Sequence, residues 1–145
     1  MRINELLSAK ASHDVLTVRP DATVRELLAQ LAEHNVGALI VSSDGAAVEG
    51  IVSERDVVRR LHEDEAVLGS PVSAIMTTEV RSCSRTDLVD DLMQVMTEFR
   101  IRHVPVVEDG TLTGIISIGD VVKSRMSELE FERDQMDSYI HSAQS

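Results

Sequence analysis

The chain has 145 residues, of which 43% are hydrophobic and only 2% are aromatic, so its core must consist of Val, Leu, Ile, Ala and Met. This composition favours layers of helices on sheets over an aromatic-rich β-barrel. The formal net charge of −11, from 14 basic and 25 acidic side chains, argues against nucleic acids and anionic membranes as partners.

Export and covalent stabilisation are disfavoured as well. The N-terminal residues MRINELLSAK lack the apolar centre of a signal peptide, and no apolar run approaches the roughly 18 residues of a membrane-spanning helix. Cys83 is the only cysteine, which excludes an internal disulfide bond and a thiolate metal cluster. We therefore expect a cytoplasmic protein.

The sequence contains an internal duplication. Residues 16–58 resemble residues 81–122, with Val36–Val41 aligned to Ile101–Val106 and one extra residue near Ala46 in the first copy. An insertion is best tolerated in a turn, and Ala46 follows an Asp-Gly turn signal. Because there are only two copies, the pattern indicates a duplication and not a solenoid.

The elements of the first copy follow from the spacing of its apolar residues. The pattern predicts a short helix capped by Asn4, a strand around Val15–Val18, a helix carrying Val24, Leu27, Leu28 and Leu31, a buried strand at Ala38–Val41, a turn at Asp44-Gly45, a strand at Val48–Val52 and a second helix.

The second copy follows a short helix that begins at Ser70-Pro71, with Ser70 as its cap and Pro71 in its first position. The predicted elements are a strand around Val80–Cys83, a helix over residues 87–99, a buried strand at Val104–Val107, a turn at Asp109-Gly110, a strand at Leu112–Ile116 and one long helix from Val121 to Gln144. Each copy therefore has the order β-α-β-β-α.

A duplicated unit of this kind resembles the CBS-domain pair, or Bateman module, from about Glu5 to Lys123. The motifs that carry the resemblance are GIVSERD at 50–56, GIISIGD at 114–120 and IRHVPVV at 101–107. It implies an α/β (α+β) fold of tandem repeats with pseudo-two-fold symmetry, of the stand-alone bacterial type. The implied boundaries are a first motif at 1–70 with the N-terminal helix, a second at 71–124 and a helical extension at 125–145.

Two serine–aspartate pairs recur at the same place in the repeat, Ser53 with Asp56 and Ser117 with Asp120. Taken alone, such a pair indicates a helix cap, with the serine at the N-cap and the aspartate in the first turn. A carboxylate also accepts hydrogen bonds from two vicinal hydroxyls, and CBS motifs use this pair to bind ribose. The resemblance therefore implies one ribose site per copy, and the two interpretations are compatible.

Two basic residues, Arg102 and His103, interrupt an apolar segment of this acidic chain. They can pair with local acids such as Glu98, or they can bind phosphate, with arginine as a bidentate fork and histidine as a further donor. In CBS pairs, basic residues here reach the phosphates of a nucleotide whose ribose is held by the other copy. The implied composite site combines Ser53 and Asp56 with this basic pair.

The second composite site is expected to bind phosphate less well. The first-copy counterparts of the basic pair are Gly37 and Ala38, which carry no charge. Arg55 is a candidate substitute for the second site, although an exposed arginine on a helix needs no such role.

Adenine would be held by backbone groups and apolar side chains. By resemblance, the candidates are Thr77, Val80 and Ile101 for the second copy's site, and Val15 and Val36 for the first. These residues are equally candidates for the core. Lys10 is a further candidate ligand contact, against the simpler interpretation of a solvated lysine.

Two helices present apolar surface that a partner would cover. The helix at 87–99 has a broad apolar face with Met93 and Met96, and in CBS modules the equivalent helices form a flat homodimer. The C-terminal helix either lies on its own domain or crosses to a partner chain. Its apolar row consists of Val122, Met126, Leu129, Met136 and Ile140, with Arg133 at the skipped position.

Catalysis is disfavoured by the side chains available. The histidines are scattered at positions 13, 34, 62, 103 and 141, and Cys83 has no activating base in the pattern. No glycine-rich phosphate loop is present.

We therefore predict a non-catalytic adenine-nucleotide sensor. It would bind AMP, ADP, ATP or NAD(H) between the two motifs, with no required cofactor or metal, as a homodimer with a further protein partner unidentified. S-adenosylmethionine is less favoured, because the basic pair indicates phosphates. The alternative is a ligand-free scaffold for dimerisation or protein interaction.

Overall fold

The computed structural model describes residues 1–10 and 15–144. His13, one of the scattered histidines, lies outside the described residues. The elements in chain order are α1 (Ile3–Ser8), β1 (Thr17–Val18), α2 (Val24–His34), β2 (Ala38–Val41), β3 (Gly50–Ser53), α3 (Glu54–Glu63), short 3₁₀ turns at Glu65–Gly69 and Val72–Ala74, α4 (Val89–Phe99), β4 (His103–Glu108), β5 (Thr111–Ser117) and α5 (Ile118–Gln144).

The first repeat forms a three-stranded sheet in the order β1-β2-β3. β1 runs parallel to β2, and β2 pairs antiparallel with β3 so that Ala38 lies opposite Ser53. All four residues of β2 are buried, as its unbroken apolar run predicts. The core beneath this sheet includes Leu27 and Leu31 of α2 and Val57 of α3.

The second repeat forms a hairpin in which β4 pairs antiparallel with β5 and His103 lies opposite Ser117. Its turn uses two left-handed residues, Asp109 and Gly110, as the Asp-Gly signal predicts. The predicted strand at Val80–Cys83 was wrong, because only Cys83 bridges to β4. The chain turns away directly afterwards, and the predicted strand Val15–Val18 is likewise reduced to β1.

Each core is completed by a segment that precedes the other repeat. The side chains of Ile3, Leu6 and Leu7 in α1 are buried in the core of the second repeat. Val72 and Ile75, from the segment before the second repeat, are buried in the core of the first. The side chains of α1 thus pack in the core of the second repeat, and the predicted domain boundaries, with α1 in the first motif, stay predictions.

Two equivalent glycines permit this exchange. A Cβ atom at Gly50 would lie 2.8 Å from the sulfur of Met76 and 2.9 Å from the carbonyl oxygen of Thr77. A Cβ atom at Gly114 would lie 2.8 Å from Cδ2 of Leu7. At Gly50 only glycine allows the crossing segment to approach β3 so closely, because a Cβ atom would meet backbone; at Gly114 a Cβ atom would force the Leu7 side chain to move.

Two predicted helix caps were wrong. Asn4 lies inside α1, which begins after Arg2, and the N–H groups of Ile3 and Asn4 donate to backbone carbonyls of residues 87 and 85. Because the other repeat supplies these acceptors, the helix needs no side-chain cap. Ser70 does not cap a helix after it; its carbonyl accepts from the N–H of Val24, at the start of α2.

The predicted long C-terminal helix is confirmed, and it begins three residues earlier, at Ile118. Its first turns pack on α1, α4 and β5. Residues 132–142 are exposed. Among the described residues, no helix is long and apolar enough to cross a membrane.

Candidate functional site

Ser53 and Asp56 lie where β3 passes directly into α3. The Asp56 carboxylate accepts a hydrogen bond from the Ser53 backbone N–H at 2.9 Å and from the Ser53 hydroxyl at 3.1 Å, both at Oδ2. The Ser53 hydroxyl accepts in turn from the Asp56 N–H at 3.3 Å. The pair therefore forms a reciprocal helix cap. Within the described residues Oδ1 has no hydrogen-bond partner, so this oxygen is free to accept from a ligand.

The same cap recurs where β5 passes into α5. Asp120 accepts from the Ser117 backbone N–H at 2.9 Å, and its own N–H donates to the Ser117 hydroxyl at 3.2 Å. Here the carboxylate also has an internal cation, because Lys10 Nζ lies 3.0 Å from Oδ2 of Asp120. The same ammonium donates to the carbonyl oxygen of Ile115 at 2.8 Å.

This lysine changes the electrostatics of Asp120. Burial by itself would raise the pKa of Asp120, but the hydrogen bonds from the Ser117 backbone and from Lys10 outweigh it. The pKa of Asp120 is held below its ordinary value of 3.8. Asp120 is therefore ionised and already paired at neutral pH.

A cleft of about 630 Å³ opens in front of the first pair, and we call it the first cleft. This volume is in the range of sites for nucleotide-sized ligands. It contains predicted site residues from both repeats. These are Ser53, Arg55 and Asp56 from the first repeat and Thr77, Val80, Ile101, Arg102 and His103 from the second repeat and the segment before it.

The first cleft is basic although the whole chain is acidic. Its lining includes the arginines Arg55, Arg59, Arg81, Arg100 and Arg102, against the acids Glu54, Asp56 and Glu79. The guanidinium carbon of Arg81 lies 3.3 Å from the centroid of the Phe99 ring, a cation–π contact that holds this lining side chain in place. Such a wall suits a ligand with several negative charges.

His103 is the half-buried member of this wall. Burial lowers its pKa below the ordinary value of 6.5; Asp120 and Glu54 oppose this effect, while Arg102 and Lys10 add to it. His103 is therefore neutral at pH 7 in the free protein, and a phosphate beside it would favour its protonation.

A second cleft, of about 880 Å³, lies in front of Asp120. Its charged lining residues are Lys10, Asp120, Lys123 and Glu128, whose charges cancel. Apolar side chains from several elements form much of the remaining wall. They include Met1, Leu6, Leu16, Val36, Ile115 and Phe131.

The structure regroups several predicted site residues. Thr77, Val80 and Ile101 line the cleft of Asp56, so this cleft joins the serine–aspartate pair of one repeat to residues of the other repeat and of the segment before it. Val36 lines the cleft of Asp120.

Three further residues lie elsewhere than expected. Arg55 lines the first cleft, not the second, because it lies beside Asp56 at the start of α3. Val15 is half-buried and is not among the described lining residues of either cleft. Ser117 contributes by holding Asp120 and is itself not among the lining residues.

Sequence reasoning missed Arg59, Arg81 and Arg100. Arg59 had a detectable signal, since it lies one helical turn after Arg55 and shares its face. Arg100 ends α4 in a left-handed conformation with φ 53°, at the position that Asn35 occupies in the first repeat with φ 52°. The two aligned residues share a backbone conformation but not a charge. The repeat pattern therefore did not predict an arginine in the wall of the cleft.

The described residues hold no cluster of three or more His, Cys, Asp or Glu side chains that suits a metal ion. Burial, with Asp87 and Glu108 nearby, raises the pKa of the Cys83 thiol to about 12. This thiol is protonated at neutral pH and is therefore a poor nucleophile.

Comparison with known proteins decides the family. The model of the CBS domain matches residues 5–63 and 72–127, one match for each repeat. The chain belongs to the CBS-domain family. The predicted family and fold class are thereby confirmed, and the two matches form a CBS pair.

Curated relatives of this CBS pair are similar over most of its length. It is 38% identical over 125 residues to the mitochondrial CBS domain-containing protein CBSX3 of Arabidopsis thaliana, covering 83% of this chain and 61% of that protein. It is 34% identical over 113 residues to YhcV of Bacillus subtilis, covering 78% of this chain and 80% of YhcV. The chain thus spans less than two thirds of CBSX3 and most of YhcV.

Solved structures agree with this assignment. The CBS-domain protein ATU1752 of Agrobacterium tumefaciens is 45% identical, with a TM-score of 0.82 over 86% of this chain and 99% of that one. The CBS pair of MJ0100, in complex with 5′-methylthioadenosine and S-adenosyl-L-methionine, is 22% identical with a TM-score of 0.75 over 85% of this chain and 98% of that one. At that identity the likeness shows the fold alone.

Proposed function

We propose that this CBS pair is a non-catalytic regulatory module that binds an adenine nucleotide in the first cleft. Asp56 would accept the ribose hydroxyls through its free oxygen. Arg102, with Arg55 and His103, would bind the phosphates. Thr77, Val80 and Ile101 would contact the adenine.

The observation that carries this proposal is the composition of the first cleft. An acidic chain of net charge −11 lines this cleft with five arginines against three acids, and one of these acids, Asp56, keeps a carboxylate oxygen without a hydrogen-bond partner among the described residues. A polyanion alone would repel Asp56, and a neutral sugar alone would not need the arginines. A nucleotide has both parts, with vicinal hydroxyls for the carboxylate and phosphates for the guanidinium groups.

The adenosine part of the ligand has support from the family. The CBS pair of MJ0100 is in complex with two adenosine derivatives, neither of which carries phosphate. The basic wall of the first cleft favours AMP, ADP, ATP or NAD(H) for this chain over such uncharged or cationic derivatives.

The proposed mechanism is linkage between the two repeats. The first cleft is built from both, so a nucleotide would stabilise the arrangement in which they are closed against each other. A regulated partner protein would respond to that arrangement. We propose a cytoplasmic homodimer as the functional form, with no nucleic acid or membrane partner.

A scaffold without a ligand is the second candidate. Its specific support is that both serine–aspartate pairs form complete helix caps and that Lys10 already neutralises Asp120. Structural roles therefore account for much of both pairs. They do not account for the five arginines of the first cleft.

Thermal melts of the purified protein with AMP, ADP, ATP, NADH and S-adenosylmethionine separate the two candidates. A ligand that binds only the folded state at about 100 times its Kd adds about 2.7 kcal/mol to the free energy of unfolding. For a chain of this size, Tm should rise by about 5–10 °C. We expect this rise with a phosphorylated ligand, and Asp56→Ala should remove it. A flat response to all five compounds would leave the scaffold as the function.

A further inference from the structure

Arg81 lies at the first cleft with its guanidinium group against the ring of Phe99. The guanidinium carbon is 3.3 Å from the ring centroid. A separation this short places the guanidinium over the face of the ring, because the ring's own atoms block so close an approach in its plane. Phe99 is 41% exposed and does not belong to the described apolar core of the second repeat. The ring is therefore available to support Arg81 and is not required for the core.

The ring supports Arg81 from outside the first cleft. Arg81 is among the described residues that line this cleft, and Phe99 is not. One face of the planar guanidinium thus lies on the ring, and the opposite face is turned towards the cleft. Within the described part of the chain, Arg81 makes no hydrogen bond or ion pair, so no carboxylate there competes for this guanidinium.

Position 81 faces a cleft in both repeats. In the alignment of residues 16–58 with residues 81–122, Leu16 is the counterpart of Arg81, and it lines the second cleft. A leucine offers only apolar surface, so this position does not serve phosphate in the first repeat. Val80 precedes Arg81 and lines the first cleft together with Thr77, and both are proposed adenine contacts. Arg81 therefore lies beside the part of the cleft assigned to the base.

The first cleft offers an adenine ring little aromatic surface. Its described lining includes no Phe, Tyr or Trp, and the whole chain has two Phe, one Tyr and no Trp. Proteins stack unpaired bases either on aromatic rings or on the guanidinium plane of arginine. A guanidinium already held against a ring loses less freedom when a base is added on its other face.

We propose that Arg81 is a base-stacking residue of the first cleft, with its guanidinium between the Phe99 ring and the adenine of the bound nucleotide. Phe99 is then a positioning residue, which acts on the nucleotide only through Arg81. This inference rests on the proposed function of the first cleft. It assigns Arg81 to the base and not to the phosphates.

Isothermal titration calorimetry with ATP and with adenosine separates a base contact from a phosphate contact. In about 0.15 M salt, which screens charges more than about 8 Å apart, Arg81→Ala should weaken binding of both ligands about tenfold, the scale of one stacked base. Arg102→Ala should weaken binding of ATP and not of adenosine. Arg25→Ala, on the exposed part of α2 outside both clefts, is the control and should change neither. Unchanged adenosine affinity in Arg81→Ala would overturn the proposal.

Variants of Phe99 test whether the ring acts through Arg81. Phe99→Leu should weaken both ligands about threefold, and Phe99→Trp, which keeps a flat ring, should bind within about twofold of the wild-type chain. In an Arg81→Ala background, Phe99→Leu should have no further effect, since the contact between the two residues is already lost. The same loss with and without Arg81 would show that the ring does not act through it. Circular dichroism and melting of each variant verify the fold.

Failure of this inference can be told from failure of the proposed function. If the wild-type chain binds neither ATP nor adenosine, the proposed function is wrong and this inference is wrong with it. If the wild-type chain binds both, and Arg81→Ala weakens ATP alone, Arg81 binds phosphate and only this inference is wrong. Loss of both affinities by a similar factor is the result expected of a base contact.

Discussion

The two clefts begin from the same local geometry. In both repeats an aspartate accepts the backbone N–H of the serine three residues earlier at 2.9 Å. Among the described residues, both carboxylates keep Oδ1 without a hydrogen-bond partner. The surroundings differ, because the chain places arginines around Asp56 and Lys10 with an apolar wall around Asp120. The cap is common to both because each helix start requires it. The charged side chains around each cap are not constrained in this way and differ between the two clefts. We expect these side chains to determine which ligand each cleft prefers.

The largest expected difference between the two clefts is in how much nucleotide affinity is lost when the aspartate of each cleft is replaced. Asp56→Ala and Asp120→Ala each delete the same part of a helix cap, which costs about 1 kcal/mol, and Asp120→Ala also removes the ion pair with Lys10. We expect Asp56→Ala to weaken binding of the phosphorylated nucleotide about 100-fold, as lost hydrogen bonds to a charged acceptor would. Asp120→Ala should change it less than about threefold. Isothermal titration calorimetry measures both, and equal losses would contradict the distinction between the clefts.

The basic wall should account for the next largest effect. Arg102→Ala should weaken ATP binding about tenfold or more, because a charge-assisted bond is worth about 1.5–3 kcal/mol. Arg25→Ala, an exposed arginine on α2 outside both clefts, is the control. Affinity should also fall as salt is added, with a shallower slope for Arg102→Ala. A salt-independent affinity would mean that phosphates are not bound there.

Protonation of His103 should give nucleotide binding in the first cleft a pH dependence. Its pKa lies below 6.5 in the free protein, and bound phosphate would raise it. Nucleotide binding should therefore take up protons, with affinity rising by up to about tenfold per pH unit as pH falls from 8 to 6. Calorimetry in buffers of different ionisation enthalpy measures this uptake, and His103→Gln should abolish it. Proton release on binding would contradict this role.

The free protein should respond to His103 in the opposite way. Because its folded pKa is below the ordinary 6.5, the unfolded chain binds more protons in that window. The free energy of unfolding should then fall as pH drops below about 6.5.

The smallest effect belongs to the second cleft. Lys10→Met should lower the free energy of unfolding at pH 7 by about 1 kcal/mol, the usual scale for a partly exposed ion pair. Because the pKa of Asp120 is depressed, this contribution is present above pH 3.8 and is lost as pH falls through the folded pKa. Urea unfolding at neutral and acidic pH should show the difference shrinking. A difference that persists in acid would mean that Lys10 contributes packing and not charge.

Much of the fold could be predicted because both repeats of the sequence carry the same pattern of strands and helices. The boundaries of β2 were predicted correctly, since a run of four buried apolar residues has one structural solution. The strand at Val80–Cys83 was wrong because a short polar segment with one valine at its start gives no such constraint. The exchange of α1 was invisible, since this helix lies outside the duplicated region.

The candidate site was predictable only where it repeats. Ser53 and Asp56 were identified from their copy, and the structure brings them into one cleft with Arg102 and His103. Arg81 and Arg100 line the same cleft because of the path of the loops that carry them, which the spacing of apolar residues does not predict. The contact between Lys10 and Asp120 joins residues far apart in the chain, and only the folded structure reveals it.

The reciprocal burial of α1 and of residues 72–75 makes the two repeats inseparable in folding. A chain cut after residue 70 would give two halves, and each would lack the apolar side chains that fill its own interior. Neither half can consolidate until the other half's leading segment has docked, so long-range contacts must form before either core is complete. The duplicated sequence therefore behaves as one cooperative folding unit, in which a ligand bound on one side stabilises both cores at once.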